Sequence, residues 1–311
     1  MKKFTNVLFV SQGLTDDQAS LGQAIMIATH NNANLQGLIV CPSLPENMTG
    51  YTETYEQSLR DGLRNNICNV IEHNSLDKNP DNFPISLQGG DKPAVRIIRY
   101  IQSQDVDLVI KDAEPIDVNS EGFKAIDMAL LRQCPAPVWL NRPTNKPLVK
   151  RRVAVAIDPD ITNAEQKELN VQLLSLARSI ADSSDSRLHI ISCWVYQLQH
   201  YLDNQAWIKM EEAELKDNIE QARVEHRTKL DSIIEESGLS GENIVHHLQG
   251  VADDEIPRTV LDLGIDVLVM GTIARTGIPG VVIGNTAENI LQSVNCSLVA
   301  LKPNSFVSPI R

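Results

Sequence analysis

Val106-Asp107-Leu108-Val109-Ile110 and Ile265-Asp266-Val267-Leu268-Val269 are two copies of one pattern, and their reading decides the fold. A helical stretch precedes each, and before it stands the same tripeptide, Leu87-Gln88-Gly89 in the first case and Leu248-Gln249-Gly250 in the second. Further pairs follow in the same order. Val7-Leu8-Phe9-Val10 matches Val153-Ala154-Val155-Ala156, and Cys134-Pro135-Ala136-Pro137-Val138 matches Cys296-Ser297-Leu298-Val299-Ala300. A repeat of this length makes each half a complete unit. Between the halves, Asn141-Arg142-Pro143-Thr144-Asn145-Lys146-Pro147 is polar and proline-bearing and suits a short linker, so the domains are expected at 1–146 and 147–311.

Within each half, short β-branched runs alternate with helical patterns, which implies βαβ units, a parallel sheet and helices on both faces. The second half reads as strands near 152–157, 188–194, 243–248, 266–270 and 297–301, with helices near 163–182, 206–237, 253–263 and 286–294. In the second and longest helix, Leu215, Ile219, Ala222, His226, Leu230 and Ile233 recur every three or four residues toward a stop at Gly238. The expected fold class is α/β, with two tandem doubly wound five-stranded parallel sheets of Rossmann-like form.

The 311 residues, 42% of them hydrophobic, suit two compact cores. Forty acidic residues against 28 Lys and Arg leave a net charge of -12, which disfavours direct nucleic-acid binding. The first apolar stretch ends at Ser11-Gln12 and reads as a strand rather than a leader, and no apolar run approaches the roughly 18 residues of a spanning helix. Neither a membrane nor a disulfide framework is expected. The cysteines Cys41, Cys68, Cys134, Cys193 and Cys296 are odd in number and form no CxxC pair, as suits reduced thiols in the cytoplasm.

Ligands of an open parallel sheet bind beyond the carboxyl ends of its strands, where strand order reverses. In the second half that place is taken by the segment 271–286, which holds four of the chain's sixteen glycines, Gly271, Gly277, Gly280 and Gly284. It closes in Gly284-Asn285-Thr286-Ala287-Glu288, where Asn285 reads as a helix N-cap and Glu288 as its capping-box partner. Glycines at a helix start favour a phosphate-bearing ligand, although a plain turn explains an isolated glycine-rich loop as well. Asp158 follows the first strand of this half and can hold a base edge or ribose hydroxyl, or act as a turn residue before Pro159.

These residues resemble the nucleotide-binding universal stress proteins, whose pattern is Gly-x2-Gly-x9-Gly-(Ser/Thr) after the fourth strand with an Asp after the first. Gly271, Gly284 and Asp158 match it; Ala274 stands at the middle glycine, and Asn285, followed by Thr286, at the Ser/Thr. The resemblance covers nearly the whole chain and is to the tandem, E-type members, with an adenine nucleotide alpha hydrolase-like fold. It implies a non-enzymatic stress-response protein in which the halves form an internal pseudo-dimer through the last strands, 136–140 against 297–301. A further homodimer stays open. The crevice it implies is built by Asp158, Met270, Gly271, Ala274, Gly284, Asn285 and Thr286, with ATP or AMP as the ligand. Two alternatives stand beside it: a slow ATP-binding hydrolase helped by Arg275, and a carrier of an apolar or acyl small molecule beneath the long helices, near Trp194, Tyr196, Tyr201 and Trp207.

The first half differs. After its fourth strand comes Lys111-Asp112-Ala113-Glu114-Pro115-Ile116-Asp117, read as an acidic loop that repels phosphate, and Gln12 stands where the second half has Asp158. No P-loop, GxGxxG, HExxH or GxSxG signature occurs. His246 and His247, adjacent on a strand, are expected on opposite faces and not on a shared metal. Asp253-Asp254-Glu255 read as first-turn acids of a helix.

Overall fold

A computed structural model describes residues 4–13, 18–73, 79–114, 123–144, 146, 150–161, 163–196, 211–272 and 283–311. The first half runs β1 (Asn6–Ser11), α1 (Gln18–Asn31), β2 (Asn34–Cys41), α2 (Thr52–His73), β3 (Ile85–Gly89), α3 (Pro93–Ser103), β4 (Leu108–Asp112), α4 (Ala125–Gln133) and β5 (Val138–Asn141). The second half repeats the order as β6 (Val153–Ala156), α5 (Ala164–Ser183), β7 (Leu188–Trp194), α6 (Glu212–Glu236), β8 (Asn243–Gln249), α7 (Ala252–Asp262), β9 (Val267–Gly271), α8 (Asn285–Ser293) and β10 (Ser297–Leu301). All five strands of the second half fall within two residues of their expected places; β6, β9 and β10 are apolar runs buried on both faces, whereas β7 and the half-buried edge strand β8 carry polar residues among their Ile, Leu and Val.

The ten strands form one sheet in the order β3-β2-β1-β4-β5-β10-β9-β6-β7-β8. Pairing is parallel inside each half and antiparallel where the halves meet, with Leu298 opposite Leu140, Val299 opposite Trp139 and Ala300 opposite Val138. The expected edge pairing is thus the seam of the molecule, and Trp139 and Val299 mark its pseudo-twofold centre. One apolar layer lies under α1, α2, α5 and α6 and the other under α3, α4, α7 and α8; each contains residues of both halves. No helix of the described residues is long and apolar enough to cross a membrane.

The pseudo-symmetry refines the repeat. Gly90 and Gly250 make the equivalent bonds, to the carbonyls of Cys41 and Trp194 at 3.0 Å, and both have positive φ, 123° and 148°. The matched tripeptides are therefore one residue out of structural step. The long helix also differs from its sequence reading. Residues 206–210 lie outside the described residues, and of α6 only His226, Leu230 and Ile233 are buried, so Leu215, Ile219 and Ala222 do not reach the core. The periodic pattern persists beyond the end of the surface available to cover it. Gly238, at φ 61°, does end the helix.

Candidate functional site

The strand order reverses beside β6 and β9, and the expected site residues gather at the carboxyl ends of these two strands. Met270 is buried, and Gly271 ends β9. An added Cβ at Gly271 would meet Leu169 Cδ2 at 3.2 Å, so this glycine lets α5 close on the strand end. Thr272 is fully buried, and its hydroxyl has no hydrogen-bond partner among the described residues. Its carbonyl accepts the Gly284 N–H at 3.2 Å, which joins the end of β9 to the residue before α8. Ala274 and Arg275 lie outside the described residues.

Asp158 stands on the neighbouring strand end. Its Oδ1 accepts the Asp160 N–H at 3.1 Å, and its carbonyl accepts Asn170 Nδ2 at 2.7 Å, the geometry of a turn residue. Asp160 in turn pairs with Lys229 of α6 at 2.9 Å. The crevice also holds Cys193, whose thiol is pushed up to about 12 by burial and then by the carboxylates of Glu255 and Asp158.

The capping box expected at α8 does not form. The N-cap is Gly284, which has no side chain to cap the helix, and Asn285 and Thr286 occupy its first two positions and are exposed. Glu288 instead reaches across the seam to Arg132 of α4, an ion pair that joins residues 156 apart in sequence. The start of α8 therefore keeps its backbone N–H groups and positive dipole end uncovered by any side chain of its own cap.

The first half fills the same place from within. Lys111 and Asp112 belong to β4 rather than to an acidic loop, and Lys111 is buried against Asp127 at 2.9 Å. Asp127 also accepts the Glu114 N–H at 2.6 Å, and Glu114 accepts the N–H of Ile126, the second residue of α4, at 2.9 Å. A carboxylate of the chain thus occupies the helix start that an anion would need. Burial raises the Asp127 carboxyl above its ordinary value and Lys111 pulls it back. The pseudo-twofold places Met270 and Ala287 at the positions of Lys111 and Asp127, so the second half has neither charge. Residues 115–117 of the expected loop lie outside the described residues.

The acids Asp253, Asp254 and Glu255 do open α7. His246 and His247 do face opposite ways, but each meets a histidine that sequence spacing did not indicate: His189 Nδ1 lies 2.9 Å from His246 Nε2, and His226 Nδ1 lies 2.9 Å from His247 Nε2. No metal-binding group of three or more His, Cys, Asp or Glu occurs among the described residues. Trp194 is buried and lies beside His247, whereas Tyr201 and Trp207 lie outside the described residues.

Two doubly wound units sharing one sheet through their last strands define a tandem of Rossmann-like domains. The universal stress protein family model matches residues 150–302. Universal stress protein E of Escherichia coli K12 is 25% identical over 319 residues, spanning 100% of this chain and 98% of that protein. The protein of the same name from Photorhabdus laumondii is 23% identical over 320 residues. A crystal structure of a functionally unknown protein from Pseudomonas aeruginosa PAO1 matches with TM-score 0.67 and 25% identity, covering 97% of this chain and 93% of that one. A universal stress protein from Archaeoglobus fulgidus shares the fold at TM-score 0.57 and 13% identity. The family model thus matches the second half, while proteins named universal stress protein E match the chain over its whole length, as fits a tandem of two such units.

Proposed function

We propose that this stress protein binds a phosphate-bearing adenine nucleotide, ATP or AMP, in its second domain, 147–311, and that binding rather than turnover is its role. One observation carries the reading: among the described residues no side chain is seen to bond the first N–H groups of α8, whereas at the equivalent start of α4 Glu114 accepts the Ile126 N–H. The phosphates would meet the backbone of Gly284, Asn285 and Thr286. Gly271 and Ala274 would line their approach, with Met270 beneath and Asp158 toward the ribose. The first domain, 1–146, would take no nucleotide in this manner, because Lys111, Asp127 and Glu114 satisfy one another. The halves act as an internal pseudo-dimer, and five free cysteines suit the reducing cytoplasm.

The test is calorimetry of ATP and AMP, with magnesium, on the wild type and Gly284→Trp. Saturable binding at about one nucleotide per chain, lost in the variant, is the expected result. Ala274→Gly is expected to tighten binding by removing a methyl from the phosphate approach. No heat at millimolar nucleotide would overturn the site, and steady-state ATP hydrolysis abolished by Gly284→Trp would overturn the non-enzymatic role.

A further inference from the structure

Four of the chain's seven histidines surround the edge strand β8. On one face of the sheet His246 meets His189 of β7; on the other His247 meets His226 of α6. In the second pair the facing nitrogens are 2.9 Å apart while the ring centres are 5.0 Å apart and the planes 27° from parallel. The rings therefore meet edge to edge along the nitrogen–nitrogen line, with one N–H donating to one bare nitrogen. Such a bond survives with neither ring charged, or with one, and is lost when both are imidazolium.

His226 is also the first buried residue of α6, with only Leu230 and Ile233 buried beyond it. We propose that the His226–His247 pair is a proton-operated clasp, which holds α6 over the carboxyl ends of β7 and β8 and releases it when both rings are charged. The same helix carries Lys229, paired with Asp160 beside Asp158, so its release loosens that wall of the crevice.

The surrounding groups favour neutral rings. Arg223 and Arg227 of α6 oppose a positive charge on His247, and Asp231, held by Arg227 at 2.9 Å, only partly offsets them. Burial is the largest cause and pushes His247 down to about 4. On the opposite face, burial lowers both His189 and His246, with Arg152 and Arg187 adding to the effect on His189. From α5, Lys167 pairs with Glu236 near the far end of α6. A folded value below the ordinary 6.5 means that the clasp stabilises fully above pH 6.5 and is lost as pH falls through about 4.

Hydrogen exchange on the full chain, corrected for intrinsic rates, tests this by comparing about pH 7.5 with about pH 5. Exchange in peptides spanning 224–234 and 243–249 is expected to rise about ten-fold at the lower pH and to recover on return, while β1 and β2 stay protected. Trp194, its ring 5.9 Å from that of His247, should lose fluorescence in step. His247→Gln keeps a hydrogen-bonding end without a titrating ring, and it should abolish the acid step. An unchanged α6 at about pH 5 would overturn the clasp. So would an identical acid step in His247→Gln, which would assign release to the His189–His246 pair or to the Asp160 and Glu236 carboxylates. Should that variant fail to fold, imidazole resonances of the wild type decide: a depressed titration of His247 coupled to His226 supports the clasp, and titration of His247 near 6.5, independent of His226, overturns it.

Discussion

Lys111 and Asp127 show how a single pair changes the meaning of a segment. In sequence they belong to a polar stretch and to a helix sixteen residues on; in the fold both are buried, at 3% and 0% side-chain exposure. A buried charge without its partner is costly, whereas replacing both partners by apolar groups is often close to neutral. Lys111→Met is therefore expected to cost about 3–5 kcal/mol in urea unfolding, and adding Asp127→Ala should recover most of that loss. The double variant installs the residue types the second half already has, Met270 and Ala287. A double variant no more stable than Lys111→Met alone would show that the pair is not the source of the cost.

At the scale of elements, the turns that follow β3 and β8 explain why the repeat was legible and why its register was not. Leu-Gln-Gly recurs in both halves, but the position that needs a glycine is the one whose backbone turns to positive φ, Gly90 in one half and Gly250 in the other. A Cβ on Gly250 would also lie 2.6 Å from Glu255 Cγ. Gly250→Ala is expected to lower stability by about 1–2 kcal/mol, read as a lower midpoint in thermal unfolding. Sequence identity pointed to a neighbouring glycine because first-half Gly89 and Gly90 are adjacent and only their dihedral angles separate them. Helix α6 teaches the complementary lesson: its apolar period continues through Leu215 and Ile219, but burial begins only at His226, where β7 and β8 lie beneath it.

Across the whole molecule, the seam between β5 and β10 turns two five-stranded units into one ten-stranded sheet. Leu298 and Leu140 face each other there, fully buried, and the apolar layers on both sides draw on both halves. Leu298→Ala is expected to cost about 2–5 kcal/mol and to raise hydrogen exchange in β4 and β9 alike, because the cavity opens in a shared core. Exchange that rises only in the second half would show the units to be independent. The Arg132–Glu288 pair ties α4 to α8 across the same seam, so the helix start proposed to meet a nucleotide is braced by the other half.

The order and kind of the elements, the duplication and the last-strand pairing were legible in the chain, because strand and helix periods are local properties and each half repeats them. So were Asp158, Gly271 and Gly284 as neighbours, since the doubly wound order brings the ends of its central strands together. Which polar groups answer one another was decided only by tertiary structure. Glu288 reads as a capping partner of Asn285 but is drawn to an arginine 156 residues away, and His247 finds its partner 21 residues back on a helix. Charge and hydrogen-bond demands are satisfied by whatever the packed elements bring within reach, at separations no local pattern records. The bond from Glu114 to the start of α4 arises in the same way.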